Sequence, residues 1–451
     1  MNSAEVDRWA AGLPSLEGDL GRDGAALRGF VAAGEALLAA LPAQPDRDEG
    51  QRCEADRILA GCRRLRDTFM GRHAERVYDA LTAGRTGYRR CPELVHAAAE
   101  AFPGLVPTAA QLAAERAHPQ AGKDGREIDQ GIFFRGLLRS SSAGAHLLDA
   151  MLRPTPRATD LLATFRRDGR VDLGTVLVER HAPAAHLTMN NRSCLNAEDD
   201  RLIADLETAV DLVLLDDGVR VGVLRGAVMT HPRYAGRRVF SAGINLRDLC
   251  AGRITFVDFL LGRELGYLSK VLRGLLRDPA DRYPDRTVQK PWVAAVDSFA
   301  IGGGMQALLT FDRVIAADDA FFSLPAAREG IVPGAANLRL GRWLGTRLAR
   351  DVILGGRRIR ATDPEAALLC DEVVPGERIG AAVDAAIDLL DNPAVVANRR
   401  MLNLADEPPD RFRAYLAEFA VVQVTRLYSP DVLERVARAW SGREERDRVG
   451  A

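Results

Sequence analysis

Two glycine-containing turns are the segments of this sequence best suited to chemistry. The later turn, residues 301–306, reads Ile-Gly-Gly-Gly-Met-Gln and lies between an apolar run and a helical pattern. The earlier turn, residues 240–246, reads Phe-Ser-Ala-Gly-Ile-Asn-Leu and precedes it by about sixty residues. Glycine lets the backbone approach a ligand closely, and two backbone N–H groups aimed at one point stabilise a negatively charged oxygen. The pattern predicts an oxyanion hole; tight packing of a strand on a helix is the structural alternative.

Length and charge exclude several broad classes of function. At 451 residues the chain exceeds one ordinary core, which predicts two domains or one domain with an extension. A net charge of −1 gives no overall field that favours nucleic acid or an anionic membrane. No window reaches eighteen apolar residues, and the N-terminus lacks a signal-peptide pattern. We therefore expect a cytoplasmic protein.

Metal and nucleotide motifs are missing from the sequence. The six cysteines are scattered without a C-x-x-C pair, so we expect them to be reduced and mostly buried. The seven histidines form no H-x-x-x-H or H-E-x-x-H pattern. No G-x-G-x-x-G follows a strand pattern, and no Walker loop is found. The sequence predicts no metal site and no bound cofactor.

The chain falls into three stretches by pattern. Residues 1–170 show helical periodicity punctuated by prolines, and we expect a packing or assembly extension there. Residues 171–390 alternate strands with helices, which indicates an α/β core that carries the chemistry. Residues 391–451 form a predicted helical tail.

Within the core, several elements are predicted individually. Residues 174–180 and 185–189 are expected to be paired strands, and 197–215 an amphipathic helix capped by Asn196. Residues 291–297 are almost continuously apolar, which favours a central, buried strand. From residue 334 onward the pattern predicts helices only.

Four segments of the core resemble the crotonase (enoyl-CoA hydratase/isomerase) superfamily in order and spacing: residues 187–197, 240–246, 300–306 and 330–335. The resemblance implies a spiral ββα fold, assembly into homotrimers or homohexamers, and an acyl-CoA substrate. It also implies that the backbone N–H groups of Ile244 and Gly303 are the two oxyanion donors.

The sequence departs from the hydratases at both acid–base positions. Gln306 stands where the family has one catalytic glutamate, and Ala326 stands where it has the other. Glu329 is three residues further along and is expected to point elsewhere. Without these carboxyls the family's addition of water is not expected.

We expect an enolate-stabilising pocket with apolar walls to remain, lined by Ile244, Leu246, Ala326 and Ile331; core packing is the alternative for each residue taken alone. A thioester enolate in such a pocket is electron-rich, and dioxygen is a small apolar electrophile that could attack it. One branch of the superfamily combines these departures with a long helical extension. This resemblance implies a cofactor-independent dioxygenase that converts 3,5-dihydroxyphenylacetyl-CoA and O2 to the arylglyoxylate and CoA for antibiotic biosynthesis.

Further polar residues are candidates for the site. Arg263, in an apolar helix, either pairs structurally or meets a substrate oxygen, and we predict it as catalytic together with Gln306. Glu198 binds a ring hydroxyl or interacts with a helix dipole. His231 contacts coenzyme A or lies on a surface loop. The other residues of the two turns predicted to bind substrate are Ala242, Gly243, Asn245, Leu246, Gly302 and Gly304, and the candidates for the CoA phosphates are Arg233, Arg237 and Arg238.

Two other functions remain open on sequence grounds. One is a different enolate reaction, such as thioester hydrolysis or isomerisation. The other is a non-catalytic acyl-CoA-binding scaffold, which the missing glutamates and the large helical half suggest. The sequence does not identify the base that removes the α-proton.

Overall fold

The computed structural model describes residues 3–435. The chain divides into two compact units by its internal contacts. Unit 1 comprises residues 1–150, 249–257 and 413–451, and unit 2 comprises residues 151–248 and 258–412. The functional boundaries predicted after residues 170 and 390 stay predictions.

Helices dominate both ends of the described chain. The α-helices are α1 Ser3–Ala11, α2 Leu20–Ala39, α3 Glu49–Leu81, α4 Cys91–Ala101, α5 Ala109–Arg116, α6 Glu127–Arg139, α7 Ser141–Met151, α8 Pro156–Asp168, α9 Asp200–Leu215, α10 Leu246–Cys250, α11 Leu268–Arg273, α12 Gly303–Leu308, α13 Ala326–Glu329, α14 Ala336–Trp343, α15 Gly345–Arg350, α16 Ile379–Leu390, α17 Pro393–Asp406 and α18 Pro409–Leu427. Two segments are π-helical, Phe256–Tyr267 and Asp351–Gly355.

Short strands occupy the middle of the chain. They are β1 Arg170–Asp172, β2 Val176–His181, β3 Ala184–Met189, β4 Val221–Gly226, β5 Leu275–Leu276, β6 Thr287–Val288, β7 Trp292–Val296, β8 Phe299–Ile301, β9 Arg313–Ala317, β10 Phe321–Ser323, β11 Arg358–Arg360 and β12 Glu372–Val374.

In unit 1, the indole of Trp9 joins α1, α2 and α3. Its ring stacks on Phe30 with centroids 4.4 Å apart, and its Nε1–H donates to the Phe30 carbonyl at 3.1 Å. A Cβ on Gly34 or Gly61 would lie 2.9 or 2.7 Å from the indole. These two glycines therefore make room for the tryptophan that holds the first three helices together.

In unit 2, the main sheet has the order β1-β2-β3-β4-β7-β9-β12. Strands β1 to β3 pair antiparallel, and β3, β4, β7, β9 and β12 pair parallel. Every residue of β7 is fully buried, which confirms the predicted central strand. The predicted pairing of β2 with β3 is also confirmed. A second sheet has the order β11-β10-β8, and β5 pairs with β6.

Two local predictions were wrong. Helix α9 is capped by Asp199, whose side chain accepts from the Leu202 N–H, and not by Asn196. Asn196 instead has φ +53° and donates its amide to the Val239 carbonyl at 2.8 Å. The chain beyond residue 334 also contains strands β11 and β12, each only three residues long. Strands this short carry too little periodicity to be recognised from sequence.

No helix in residues 3–435 is both long enough and apolar enough to cross a membrane. The α/β core with a helical N-terminal region and C-terminal helices is confirmed.

A buried ion cluster lies at the end of helix α17 in unit 2. Glu407 lies at the end of α17, and its carboxylate accepts from Arg339 at 2.8 and 3.0 Å and from Arg273 at 2.5 Å. Both guanidinium groups also lie over the Phe412 ring, at 5.5 and 4.4 Å from its centroid. Burial raises the pKa of Glu407, but the charges of Arg339 and Arg273 outweigh it and lower the pKa to about 2.

We predict that Glu407→Gln destabilises the protein in a pH-dependent way. The folded-state pKa lies below the ordinary 4.5, so this carboxylate stabilises the fold above that pH and ceases to do so as pH falls towards 2. Removing it leaves Arg273 without its carboxylate partner and Arg339 with Glu264 alone, which should lower the free energy of unfolding by about 3–5 kcal/mol near neutral pH. Urea unfolding of the wild type and the variant at about pH 7 and about pH 3 gives the difference between their free energies of unfolding. This difference should be smaller at the lower pH.

Asp217→Asn is the matched control, because that side chain is 99% exposed and its partner Arg166 is half-exposed. It should leave unfolding unchanged within about 0.5 kcal/mol. A Glu407→Gln effect of the same size at both pH values would contradict the assigned pKa.

Candidate active site

Two loops that lie side by side form the centre of the candidate site. The first loop, residues 240–246, runs parallel to β8: the Ile301 N–H donates to the Ser241 carbonyl at 2.9 Å, and the Ser241 N–H donates to that of Phe299 at 3.4 Å. The second loop follows β8 directly, with Gly302 at the N-cap of α12. Strand pairing thus brings together two turns that are far apart in sequence.

Each loop has a glycine in the left-handed region where the two approach. Gly243 has φ +86° and Gly302 has φ +54°. A Cβ on Gly302 would lie 3.2 Å from the Gly243 Cα and 4.0 Å from the Ile244 nitrogen, and a Cβ on Gly243 would lie 3.2 Å from the Ile301 carbonyl oxygen. Any side chain there would strain the backbone and press the loops apart.

The amides predicted as oxyanion donors are not engaged by the protein. Within residues 3–435, neither the Ile244 N–H nor the Gly303 N–H donates to another protein group, whereas the adjacent Gly302 N–H donates to the Ser323 carbonyl at 2.8 Å. Gly303 is the first residue of α12, where an N–H has no acceptor inside the helix. Two unengaged amides on touching loops are available as donors to a ligand oxygen, and their convergence on one point stays a prediction. Their catalytic role stays a prediction.

Arg263 lies on the first π-helix, and its side chain is only 4% exposed. Its Nε donates to Glu198 Oε2 at 2.8 Å, and its Nη2 donates to Glu198 Oε1 at 3.2 Å and to the Gly303 carbonyl at 2.5 Å. Its Nη1 donates to Glu264 Oε1 at 2.7 Å and to Gln306 Oε1 at 3.2 Å. A guanidinium has five N–H donors, and these five contacts engage them all.

The protonation states around Arg263 follow from its neighbours. Burial lowers the pKa of Arg263, but Glu198 and Glu264 outweigh burial and raise it. Burial raises the pKa of Tyr267, which lies four residues further along the π-helix. The site therefore holds a permanent cation and a neutral phenol.

Arg263 also determines what Gln306 can offer. The Gln306 carbonyl oxygen accepts from Arg263, so the hydrogen-bond network orients the amide with its –NH2 group away from the arginine. Among the described residues, the Gln306 –NH2 group donates to no protein acceptor, and the side chain is half-buried. Where the hydratases place a proton-transfer carboxyl, this chain thus presents an N–H donor.

Glu198 is buried, and its carboxylate lies against the second loop. A Cβ on Gly303 would lie only 1.9 Å from Glu198 Oε2. The backbone of residue 198 also joins the first loop, because its N–H donates to the Gly243 carbonyl at 2.7 Å and its carbonyl accepts from Asn245 at 2.8 Å. Glu198 therefore connects the two loops to Arg263, and the predicted helix-dipole role does not describe it, since α9 begins two residues later.

Sequence reasoning missed Glu264. Its side chain is 2% exposed, directly follows Arg263, and lies 3.6 Å from Arg339 through Oε2. The sequence did offer one signal for a buried ion pair, an arginine followed directly by an acid in an apolar helix. Only the fold shows that both side chains turn inward. Glu264 continues the ion cluster of Glu407 and Arg339 to Arg263.

The four residues of the predicted oxygen pocket are buried or half-buried. Leu246 and Ala326 are buried, and Ile244 and Ile331 are half-buried. The Ile331 N–H donates to the Ala326 carbonyl at 3.0 Å, which places these two together at α13. The expected lining by all four stays a prediction.

The candidates for coenzyme A lie on the exposed segment that leads into the first loop. His231 accepts from the Arg233 N–H at 3.3 Å, and Arg233 is exposed with its guanidinium 5.6 Å from the Tyr234 ring. Arg237 pairs with Asp319 at 2.5 Å, and Arg238 donates to the Gly226 carbonyl at 3.0 Å. Of the three arginines, Arg233 alone has no carboxylate or carbonyl partner among the described residues.

Residues 3–435 contain no group of three or more His, Cys, Asp or Glu side chains arranged to hold a metal ion. Each of the six cysteines is a free thiol, as expected, and three are buried.

The chain is similar in sequence to known proteins. Residues 179–407 match the family model described as enoyl-CoA hydratase/isomerase. The chain is 57% identical over 423 residues to the (3,5-dihydroxyphenyl)acetyl-CoA 1,2-dioxygenase of Amycolatopsis orientalis, covering 94% of this chain and 97% of that protein.

More distant relatives match about half of the chain. A probable enoyl-CoA hydratase of Rhizobium meliloti (strain 1021) is 31% identical over 206 residues, covering 46% of this chain and 70% of the relative. The crystal structure of an enoyl-CoA hydratase from Mycobacterium avium subsp. paratuberculosis K-10 superposes with a TM-score of 0.49 at 23% identity, covering 59% of this chain and 99% of that one. The family match and the near-full-length relative together show that this chain belongs to the enoyl-CoA hydratase/isomerase (crotonase) family.

Proposed function

We propose that this chain is a dioxygenase that converts 3,5-dihydroxyphenylacetyl-CoA and O2 to 3,5-dihydroxyphenylglyoxylate and CoA. The observation that carries the proposal is the 57% identity to a dioxygenase over 94% of this chain, which includes the helical N-terminal region as well as the crotonase core. Gln306 and Ala326, at the hydratase glutamate positions, support the same conclusion because neither side chain can transfer a proton.

In this reaction the substrate loses its α-proton, and the Ile244 and Gly303 amides stabilise the enolate oxygen. The enolate passes one electron to O2, and the radical pair combines into a peroxide at the α-carbon. The peroxide oxygen attacks the thioester carbonyl, and the thiolate leaves. The remaining α-proton is then lost, its C–H electron pair forms the ketone C=O, and the O–O bond breaks to free the carboxylate. Both oxygen atoms enter the arylglyoxylate, and the substrate itself is the reductant.

The polar cluster is suited to the two ring hydroxyls. The Glu198 carboxylate accepts from a phenol O–H, and the Gln306 –NH2 group donates to a phenol oxygen. Arg263 takes part indirectly, because its five N–H groups are already engaged by protein acceptors. Both Glu198 carboxylate oxygens accept from Arg263, which fixes the carboxylate in place, so Glu198 suits recognition of a hydroxyl.

The proposal includes three further points, on cofactors, coenzyme A binding and assembly. The enzyme uses no metal or organic cofactor, it binds an acyl-CoA thioester through His231 and the neighbouring arginines, and it assembles as a homotrimer or homohexamer like its superfamily.

Oxygen uptake is the first test. With 3,5-dihydroxyphenylacetyl-CoA in air, we expect one O2 consumed per free CoA released, and no CoA release under nitrogen. Prior dialysis against a chelator should leave the rate unchanged. Free thiol formed under nitrogen would indicate a hydrolase, and tight binding without turnover in air would indicate a scaffold; either result rejects the dioxygenase.

Gly303→Ala tests the oxyanion loop. A methyl group at this position would lie 1.9 Å from Glu198 Oε2, so the loop or the carboxylate must move. Displacing one oxyanion donor should lower kcat by roughly 10²–10³-fold. Gly341→Ala is the matched control, because a Cβ there meets nothing within 4 Å. It should keep full activity, and equal activity of the two variants would argue against the loop.

Ala326→Glu tests the apolar pocket. Ala326 is 4% exposed, and a carboxyl there would bring water and a proton to an enolate that otherwise meets O2. We expect reduced O2 uptake, with the substrate enolate reprotonated instead, which exchange of the α-hydrogen in D2O detects. Ala326→Gln has the same shape without a carboxyl and separates crowding from proton transfer. Identical O2 uptake by the Glu and Gln variants would contradict the argument.

A further inference from the structure

Glu264 has a place in the site that neither the hydratase pattern nor the proposed reaction explains. Its side chain is 2% exposed, and its Oε1 accepts from Arg263 Nη1 at 2.7 Å. Its Oε2 has no hydrogen-bond partner among the described residues and lies 3.6 Å from Arg339 Nη1. An acid sealed this deeply costs desolvation energy that a surface glutamate would not.

The turn at residues 330–335 is shaped around this carboxylate. A Cβ on Gly334 would lie 2.1 Å from Glu264 Oε1 and 2.7 Å from Gln306 Oε1. Gly334 also has φ +45°, a backbone conformation that disfavours other residues. The two oxygens that accept from Arg263 Nη1 therefore occupy the space that a side chain at this position would take.

Removing Glu264 would change what Arg263 can do. One Nη1 donor would lose its acceptor, and the guanidinium would be able to turn away from Gln306. The charge balance would change too, because the buried series Glu198, Arg263, Glu264, Arg339, Glu407 and Arg273 contains three acids and three bases. Without the acid between Arg263 and Arg339, the two cations would repel each other inside the protein.

We propose that Glu264 is a positioning residue for recognition of the substrate's ring hydroxyls. By holding Arg263 Nη1, it fixes the carboxylate of Glu198 and the amide orientation of Gln306 at the spacing that the two hydroxyls require. This inference rests on the proposed function. It concerns the dihydroxyphenyl ring alone and predicts no part for Glu264 in binding coenzyme A.

The test compares two thioesters that differ only in those hydroxyls. Dissociation constants for 3,5-dihydroxyphenylacetyl-CoA and phenylacetyl-CoA are measured under nitrogen for the wild type, Glu264→Gln and Glu264→Ala. In the wild type the dihydroxy compound should bind more tightly. The preference is expressed as the dissociation constant for phenylacetyl-CoA divided by that for 3,5-dihydroxyphenylacetyl-CoA. This ratio should fall about tenfold in Glu264→Gln, whose amide oxygen still accepts from Arg263, and up to about hundredfold in Glu264→Ala.

Asp312→Asn is the matched control, because it weakens another ion pair in unit 2, between half-buried Asp312 and buried Arg399 at 2.7 Å. It should lower thermal stability and leave the binding ratio unchanged. An unchanged ratio in both Glu264 variants, or an equal loss of affinity for both thioesters, would overturn the proposed role. If Glu264→Ala does not fold, Glu264→Gln alone decides. A wild type that discriminates between the thioesters but consumes no oxygen would refute the dioxygenase and not the role of Glu264.

Discussion

The candidate site depends on one guanidinium group whose donors are all in use. Arg263 bonds two carboxylates, one side-chain amide and the carbonyl of the residue that supplies a predicted oxyanion donor. Lysine could not replace it, because an ammonium has three donors and no planar fork. A single side chain thus couples the loop that would stabilise the enolate to the groups that would recognise the aromatic ring.

That arrangement is possible only because the arginine belongs to a longer buried series. Acids and bases alternate from Glu198 through Arg263, Glu264 and Arg339 to Glu407, so each charge has neighbours of opposite sign. Breaking such a series at one position leaves an uncompensated buried charge, which is the expensive case for buried ion pairs. The series is therefore better understood as a device that fixes positions than as a source of stability.

Sequence reasoning found the parts of this site that local chemistry determines. The glycines of the two turns, the buried strand β7 and the pairing of β2 with β3 follow from backbone freedom and apolar periodicity, which act over a few residues. The absence of glutamate at positions 306 and 326 was likewise evident from the sequence. These features were sufficient to predict an α/β core and two glycine-containing loops, and the resemblance added the crotonase-type fold. The oxyanion role of the loops stays a prediction.

What sequence reasoning missed depends on distant contacts. Asn196 has a good capping residue type, but its amide is bonded to Val239, and Asp199 caps α9 instead. Glu264 and Arg339 are seventy-five positions apart and look like ordinary surface charges until the fold buries both. A charged residue's partner is set by topology, which periodicity does not encode.

The charges around Arg263 also bear on the choice of residue at position 306, where the hydratases have a glutamate. A carboxyl at 306 would add a third acid around one arginine, and the like charges would raise at least one carboxyl pKa towards neutrality. That is useful to an enzyme that must donate a proton, as hydration requires. A neutral amide at 306 leaves Glu198 and Glu264 paired with Arg263 and Arg339 and adds no third carboxyl to the cluster. In the proposed reaction, the glutamine would thus do more than mark a missing acid, because it would let the enolate persist long enough to meet O2.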